Sequence, residues 1–169
     1  MKPRLTGFFH LPEKQVTLLE KLDQLLRPVV TGLNYVLWGI EFARHAQSAT
    51  LRIYIDRAGG ITVDDCARVS RQVSALMDVE DPIDVPYRLE VSSPGLERSF
   101  FSYDQLADYI DAEIKLRIHS LGKGKKRNFT GFLRQHADGQ LTLEDETGQL
   151  LVFPWSDVDK ASLIVRFDD

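Results

Sequence analysis

Residues 87–98 constrain the fold of this chain more than any other stretch, and they read Tyr-Arg-Leu-Glu-Val-Ser-Ser-Pro-Gly-Leu-Glu-Arg. Apolar and polar residues alternate as far as Val91, which predicts a strand with one buried face. Pro94 presets φ for the first central position of a turn, and Gly95 accepts the positive φ that a type II turn requires at the second. A buried strand therefore leads into a rigid corner that can hold two domains at a defined angle.

The residues before this corner predict a two-layer α+β domain over residues 13–98 with the order α-β-β-α-β. An amphipathic helix is expected over residues 13–27, with Pro28 marking its end. Two alternating strands separated by a short polar segment predict a β-hairpin, whose first strand has Trp38 on the same face as Ile40. A second helix then precedes the strand at the corner.

The residues after the corner, 99–169, predict an all-β domain. Strands are expected at residues 113–118, 128–135, 140–144, 149–153 and 160–167. The pairs Asp138-Gly139 and Thr147-Gly148 supply tight turns between them. Five short strands with tight turns suggest a small SH3-like or Sm-like β-barrel, so the fold class of the whole chain is α+β.

Composition restricts the function. A net charge of −4 argues against a protein that coats nucleic acid through bulk charge. The single cysteine, Cys66, excludes an intrachain disulfide and a thiolate zinc cluster. No apolar run approaches the ~18 residues of a membrane-spanning helix, and the first residues lack the apolar core of a signal peptide. We therefore expect a cytoplasmic monomer without membrane contact.

The densest positive charge lies after the corner, and no acidic residue interrupts it in the sequence. Its members are Lys115, Arg117, Lys123, Lys125, Lys126 and Arg127. Basic residues on a mobile loop can follow a phosphate backbone, so these residues are candidate RNA contacts. An ordinary solvated hairpin tip is the alternative, and Phe129, which follows, is expected in the barrel core.

An acidic loop follows the second predicted helix. Its carboxylates are Asp78, Glu80, Asp81 and Asp84. Acidic loops are usually only solvated, but they can also complement a basic partner, and ribosomal proteins are common basic partners in the cytoplasm. We therefore treat these residues as a candidate contact with a basic protein.

The sequence contains no recognisable catalytic constellation. Its four histidines lie far apart without H-x-x-E or H-E-x-x-H spacing, and Ser92 and Ser93 lack a recognisable histidine partner. Binding is therefore the expected class of function, with no catalytic residue, metal or cofactor. A hydrolase that uses Ser92 or Ser93 is the least favoured alternative.

Residues 89–98 resemble the signature of the bacterial ribosome maturation factor family RimP. Residues 52–66, 69–72 and 127–131 resemble further segments of that family, in the same order and with the same spacing. Ser99 departs from the family pattern, which usually has proline there. The residues of the signature turn between the predicted domains are Ser92, Ser93, Pro94, Gly95, Leu96 and Arg98.

The resemblance implies a two-domain cytoplasmic protein that binds the immature small (30S) ribosomal subunit and assists its late assembly without catalysis. Its implied partners are a small-subunit ribosomal protein and nearby rRNA. The basic residues then become candidate ribosome contacts. A general RNA-binding module with an Sm-like barrel is the alternative function.

Overall fold

The computed structural model describes residues 16–119 and 126–167, and its secondary structure is of the predicted α+β class. The first half contains α1 (Leu18–Gly32), β1 (Val36–His45), β2 (Ser48–Asp56), α2 (Val63–Glu80) and β3 (Tyr87–Ser92). Its three strands form the N-terminal sheet in the order β1-β2-β3. β1 and β2 pair as the predicted antiparallel hairpin, whereas β3 pairs parallel to β2 after the α2 crossover.

The N-terminal sheet buries one face beneath both helices. Alternation along β2 determines this face, because Leu51, Ile53 and Ile55 are fully buried while Arg52 and Tyr54 lie on the other side. The helices add Leu22, Leu26, Val30, Val69, Val73 and Met77 to the same core. Each fully buried aliphatic side chain contributes about 1.5–3 kcal/mol relative to an exposed one, so this core is the main stabilising term of the first half.

Helix α1 differs from its predicted bounds at both ends. It begins at Leu18, because the side chain of Thr17 accepts the backbone N–H of Glu20 at 3.2 Å as an N-cap. It also continues through Pro28 to Gly32 rather than ending before the proline. Burial of the Val30 side chain offsets the backbone hydrogen bond that proline cannot donate.

The second half forms one C-terminal sheet with the strand order β4-β9-β5-β6-β7-β8. Its strands are β4 (Ser99–Phe100), β5 (Glu113–His119), β6 (Lys126–Ala137), β7 (Gln140–Glu144), β8 (Leu150–Pro154) and β9 (Val158–Leu163). A 3₁₀ helix follows β4, and a single 3₁₀ turn precedes β9; they are Tyr103–Tyr109 and Trp155–Asp157. The second core contains Phe100, Leu106, Ile114, Leu116, Ile118, Leu133, Leu141, Leu143 and Ala161.

The predicted SH3-like or Sm-like barrel is not found, because the described strands form an open sheet. β4 and β8 are its two edges, and no described ladder pairs one with the other. Closure requires edge strands that are tilted and long enough to pair, and β4 contains only Ser99 and Phe100. Because β4 is too short to show an alternating pattern, the sequence predicted five strands in the second half and the structure has six. No helix within residues 16–119 and 126–167 is long and apolar enough to cross a membrane.

Simple alternation predicted that Trp38 and Ile40 share a face, and the structure shows that this prediction is wrong. The β1–β2 register shifts between Leu37 and Gly39, so Trp38 is the extra residue of a β-bulge. Its side chain packs against the second core, whereas Leu37 and Ile40 belong to the first. The bulge thus gives the C-terminal sheet an aromatic side chain from the N-terminal sheet.

Candidate functional site

The signature segment starts as the last strand of the N-terminal sheet and then turns sharply. Gly95 has a φ of 80°, so the predicted positive φ is confirmed. Ser93, Gly95 and Leu96 are exposed, and Leu96 retains 67% of its accessible surface. Ser92 and Pro94 are half-buried. The turn therefore presents a small solvent-facing surface while its two flanks contact the protein.

Arg98 closes this turn against the N-terminal sheet. Its guanidinium donates to the Asp56 carboxylate at 2.9 Å, with only 18% of the arginine side chain exposed. The same guanidinium lies 4.6 Å from the centroid of the Trp38 ring. In return, Trp38 Nε1 donates to the carbonyl of Ser99 at 2.7 Å. A charge-assisted hydrogen bond and a cation–π contact thus hold the corner between the two sheets.

Phe101 and Gln105 complete the junction. Phe101 lies against Gly39, at a position where a Cβ atom on the glycine would meet its ring at 2.2 Å. The Gln105 side chain accepts the backbone N–H of Phe101 at 2.7 Å and donates to the carbonyl of Trp38 at 2.7 Å. Sequence reasoning missed this junction, although a lone glycine inside a strand often marks a bulge or a close approach.

The outer face of the C-terminal sheet carries the candidate basic residues of β5. Lys115 and Arg117 alternate with buried neighbours, so their side chains lie on the face opposite the core. Register pairs Arg117 with Asn128 on β6 and with Lys160 on β9, and it pairs Lys115 with Ser162 on β9. Three neighbouring strands therefore bring these five polar residues together.

These residues line a cavity of about 240 Å³. We call it the cationic pocket, and its lining residues are Lys115, Arg117, Asn128, Lys160 and Ser162. No carboxylate within residues 16–119 and 126–167 lines it. Lys160 and Ser162 were not among the predicted contacts, because only the β5–β9 pairing brings them beside Lys115.

One carboxylate nevertheless stands beside the pocket. Asp159 accepts from Arg117 at 2.6 Å and from Lys126 at 3.1 Å, and His119 Nε2 lies 3.1 Å from its other oxygen. The bond from Lys126, reinforced by Arg117, holds the pKa of the Asp159 carboxyl below its ordinary value of 3.8. Positive charge that is uninterrupted along the sequence is therefore partly neutralised in space.

Arg127 does not line the pocket. Arg127 lies 5.4 Å from the centroid of the Phe129 ring. Phe129 is half-buried and packs on Phe153 at 4.9 Å between centroids, as expected for a core residue. Lys123 and Lys125 lie outside the described residues.

The acidic candidates lie at the end of α2 and in the loop after it. Asp78 and Glu80 occupy the last turn, and Asp81 ends the helix, where its backbone N–H donates to the Met77 carbonyl at 2.8 Å with φ at 44°. Asp84 pairs with Arg44 at 3.4 Å on the exposed surface. The structure therefore groups these carboxylates at one end of the first half, on different elements from the cationic pocket.

Among the described residues, no group of three or more histidine, cysteine, aspartate or glutamate side chains could hold a metal ion. The half-buried thiol of Cys66 packs against the first core, and burial raises its pKa. A thiol of this kind is a poor nucleophile at neutral pH.

Two sheets joined through a fixed corner, with a cationic face on one and an acidic end on the other, define an α+β protein with two oppositely charged surfaces. Residues 25–97 match the family model of the RimP N-terminal domain, a range that contains the N-terminal sheet and most of the corner. The matched segment is therefore a RimP N-terminal domain, a domain of a family of ribosome maturation factors.

Proposed function

We propose that this protein binds the immature small ribosomal subunit in the cytoplasm and assists its late assembly without catalysing a reaction. The observation that carries the proposal is the match of residues 25–97 to the RimP N-terminal domain. In this proposal residues 13–98 and 99–169 act as two domains of one monomer. The family match supports ribosome maturation as the process, and the surface charges suggest how the subunit is recognised.

The two charged surfaces suggest two kinds of contact. The outer face of β9, β5 and β6 suits rRNA, because lysine and arginine side chains neutralise backbone phosphates. The acidic end of α2, from Asp78 to Asp84, suits a basic ribosomal protein. Weak contacts at two surfaces reinforce each other when both can be engaged at once.

The junction gives this reinforcement a structural basis. Three side chains at the junction form hydrogen bonds within the protein and so connect the two sheets: Arg98, Trp38 and Gln105. A binding surface whose geometry is set in advance loses less conformational entropy on association. We therefore assign the signature segment a positioning role, and direct contact of its exposed residues with the ribosome is a separate hypothesis.

Sedimentation of the tagged full-length chain through a sucrose gradient of cell extract tests the proposed function. We expect the protein to migrate with free small subunits and to bind mature ribosomes more weakly. Equal binding to both particles, or to neither, would contradict the proposal.

A charge-removal pair tests the acidic contact in the same gradient. The test variant carries Asp78→Asn, Glu80→Gln and Asp84→Asn, and it should migrate less with the small subunit. The control carries Asp104→Asn, Asp108→Asn and Glu146→Gln, which removes the same charge from exposed sites on the other half of the chain. Equal migration of the two variants would remove the acidic end from the proposal.

The cationic face favours the alternative, a general RNA-binding module. That function predicts binding to mature ribosomes and to unrelated single-stranded RNA with similar affinity. It also predicts a log–log salt slope of about −3 to −4, which corresponds to ~4–6 neutralised phosphates on a single strand. A shallow slope with naked RNA, together with selective migration on immature subunits, would favour the assembly factor.

A further inference from the structure

We propose that the cationic pocket binds a single phosphodiester group of an RNA strand; this inference rests on the proposed function and names the ligand of its cationic face. The pocket lies on the outer face of β5, β6 and β9, and three of its residues were not among the predicted RNA contacts: Asn128, Lys160 and Ser162.

The strand register gives the pocket its geometry. Arg117 lies directly between Asn128 and Lys160 across the sheet, and Lys115 lies opposite Ser162 in the next outward-facing row. Directly opposed residues on neighbouring strands have Cβ atoms about 4.5–5.5 Å apart. The five side chains therefore surround one small space from three strands, which is the arrangement needed to bond several oxygens of one group.

The donors match a phosphate rather than a carboxylate-rich or apolar ligand. The two lysines and the arginine are donors only, and the Asn128 amide and Ser162 hydroxyl add neutral donors. No carboxylate among the described residues lines the cavity, so an anion there meets no like charge from the lining. At about 240 Å³ it lies below the ~300–1,000 Å³ typical of sites for whole small molecules, so it suits one phosphate and not an entire nucleotide.

The sheet itself favours an anion at this place. Arg117 and Lys160 are direct cross-strand partners, and like charges in that position are destabilising. Asp159 relieves Arg117 by bonding its guanidinium, but the described ion pairs of Asp159 do not include Lys115 or Lys160. A bound phosphate would neutralise these two lysines, so they are the leading donors of the pocket.

Basic residues recur along β5 and at the end of its ladder with β6, and this spacing favours a phosphate that belongs to an extended strand. Arg117 is two residues from Lys115 along β5, and outward-facing positions recur about every 6.8 Å along an antiparallel strand. Lys126 lies at the end of the same ladder, opposite His119. A free phosphate would use the pocket alone, whereas an extended backbone would place successive phosphates along this line.

Fluorescence anisotropy with a labelled 12-nucleotide oligouridylate and the full-length chain tests the pocket. Lys115→Ala and Lys160→Ala should each weaken binding about fivefold and reduce the magnitude of the log–log salt slope by about 0.7. The matched control is Lys21→Ala, which removes the same charge from an exposed position on α1 and should leave binding unchanged. Equal effects of all three substitutions would overturn the proposal that RNA binds at this pocket.

Asn128→Asp provides a second variant that preserves side-chain shape on an exposed strand position. It adds a carboxylate to the pocket and should weaken binding more than Lys115→Ala does. Circular dichroism of each variant establishes that the fold is retained. Binding by a folded Asn128→Asp protein at the affinity of the unsubstituted protein would overturn the pocket independently of the lysine variants.

Inorganic phosphate distinguishes the two sources of the same chemistry. Amide signals of Lys115 and Lys160 should shift with oligouridylate, and millimolar phosphate should displace the oligonucleotide only weakly. Shifts with phosphate but none with oligouridylate would overturn the assignment to RNA. If the pocket variants migrate with immature subunits as well as the wild-type protein does, phosphate binding at the pocket is overturned. The proposed function is then left intact.

Discussion

The guanidinium of Arg98 lies over the indole ring of Trp38, 4.6 Å from its centroid, and so joins the end of the signature segment to the first strand of the chain. The Asp56 carboxylate bonds the same guanidinium at 2.9 Å. Because a planar guanidinium can stack and donate in its own plane at the same time, arginine satisfies both contacts together. Lysine cannot reproduce this geometry.

Arg98→Lys should therefore destabilise the protein by about 1–2 kcal/mol, measured as the free energy of unfolding in urea. Combining it with Asp56→Asn in a double-mutant cycle should reveal a coupling energy of at least about 0.5 kcal/mol. Arg88→Lys is the control, because its side chain is 79% exposed and its ion pair with Glu90 is long at 3.6 Å. An equal effect at both arginines would show that the stacked arrangement contributes nothing.

Gly39→Ala should disturb the junction from the other side. The new Cβ would overlap the Phe101 ring at 2.2 Å, so the ring must leave its place against Tyr54. We expect a loss of about 1–3 kcal/mol in the free energy of unfolding, as for other overpacked sites. Gly32→Ala, which has open space around it in helix α1, should instead be neutral or slightly stabilising. Similar stability of both variants would contradict the close approach.

Gly95→Ala tests backbone strain without steric contact. No atom lies within 4 Å of a Cβ at this position, but its φ of 80° is left-handed. Alanine should therefore cost more than about 1 kcal/mol, and asparagine should cost less because it tolerates this conformation better. Thermal unfolding of the two variants measures the difference, and a Gly95→Ala protein as stable as the wild type would exclude the assigned turn.

Asp65 should link stability to acid pH. The hydroxyl of Tyr35 and then the backbone N–H of Thr62 donate to its carboxylate, which lowers the pKa of Asp65 to about 2 from the ordinary 3.8. A depressed pKa stabilises the folded state above the unfolded value, and this contribution is lost as the pH falls from 3.8 towards 2. Asp65→Asn should thus lower the urea midpoint at pH 7, and the difference from wild type should narrow across that acid range.

Asp64→Asn is the matched control for this pH dependence. It removes the same charge from the same turn of α2 without removing the bonds from Tyr35 and Thr62. Its midpoint should therefore follow the wild-type curve at every pH. A difference between Asp65→Asn and wild type that stays constant down to pH 2 would exclude the predicted linkage.

Asp159→Asn should strengthen binding to oligouridylate by a few-fold at low salt. The substitution releases Arg117 and Lys126 from a carboxylate whose depressed pKa keeps it ionised at neutral pH. Each cation that becomes available to a phosphate should steepen the log–log salt slope by about 0.7. Asp138→Asn removes one charge from an exposed turn and should change binding little. Weaker binding by Asp159→Asn would mean that Asp159 orients the cations and does not compete for them.

Local patterns predicted the local features of this fold. The alternation of β2 and its hairpin with β1 both appear where the residue types predicted them. Gly95 likewise has the positive φ that the corner demanded. These features depend on neighbours within a few residues, so the sequence alone contains their cause.

Features that depend on distant pairing were not predictable in this way. Asp159 meets Arg117 only because β9 pairs with β5, and the two residues are 42 positions apart. The bulge at Trp38 changes the face of one side chain without altering the strand pattern around it. The open edge of the C-terminal sheet likewise follows from a two-residue strand that has no periodicity. Tertiary partners, and not local propensity, determine each of these three features.

Because of the bulge at Trp38, the residues that the second half can accept in its core depend on a residue of the first half. The indole packs at 6.1 Å from Phe100, which in turn packs at 5.0 Å from Tyr109, so part of the second core is encoded in the first strand. Exchanging the second half for that of a relative would leave this indole facing a surface shaped for a different residue. Functional chimaeras of this protein must therefore transfer Trp38 together with the second half, against which its indole packs.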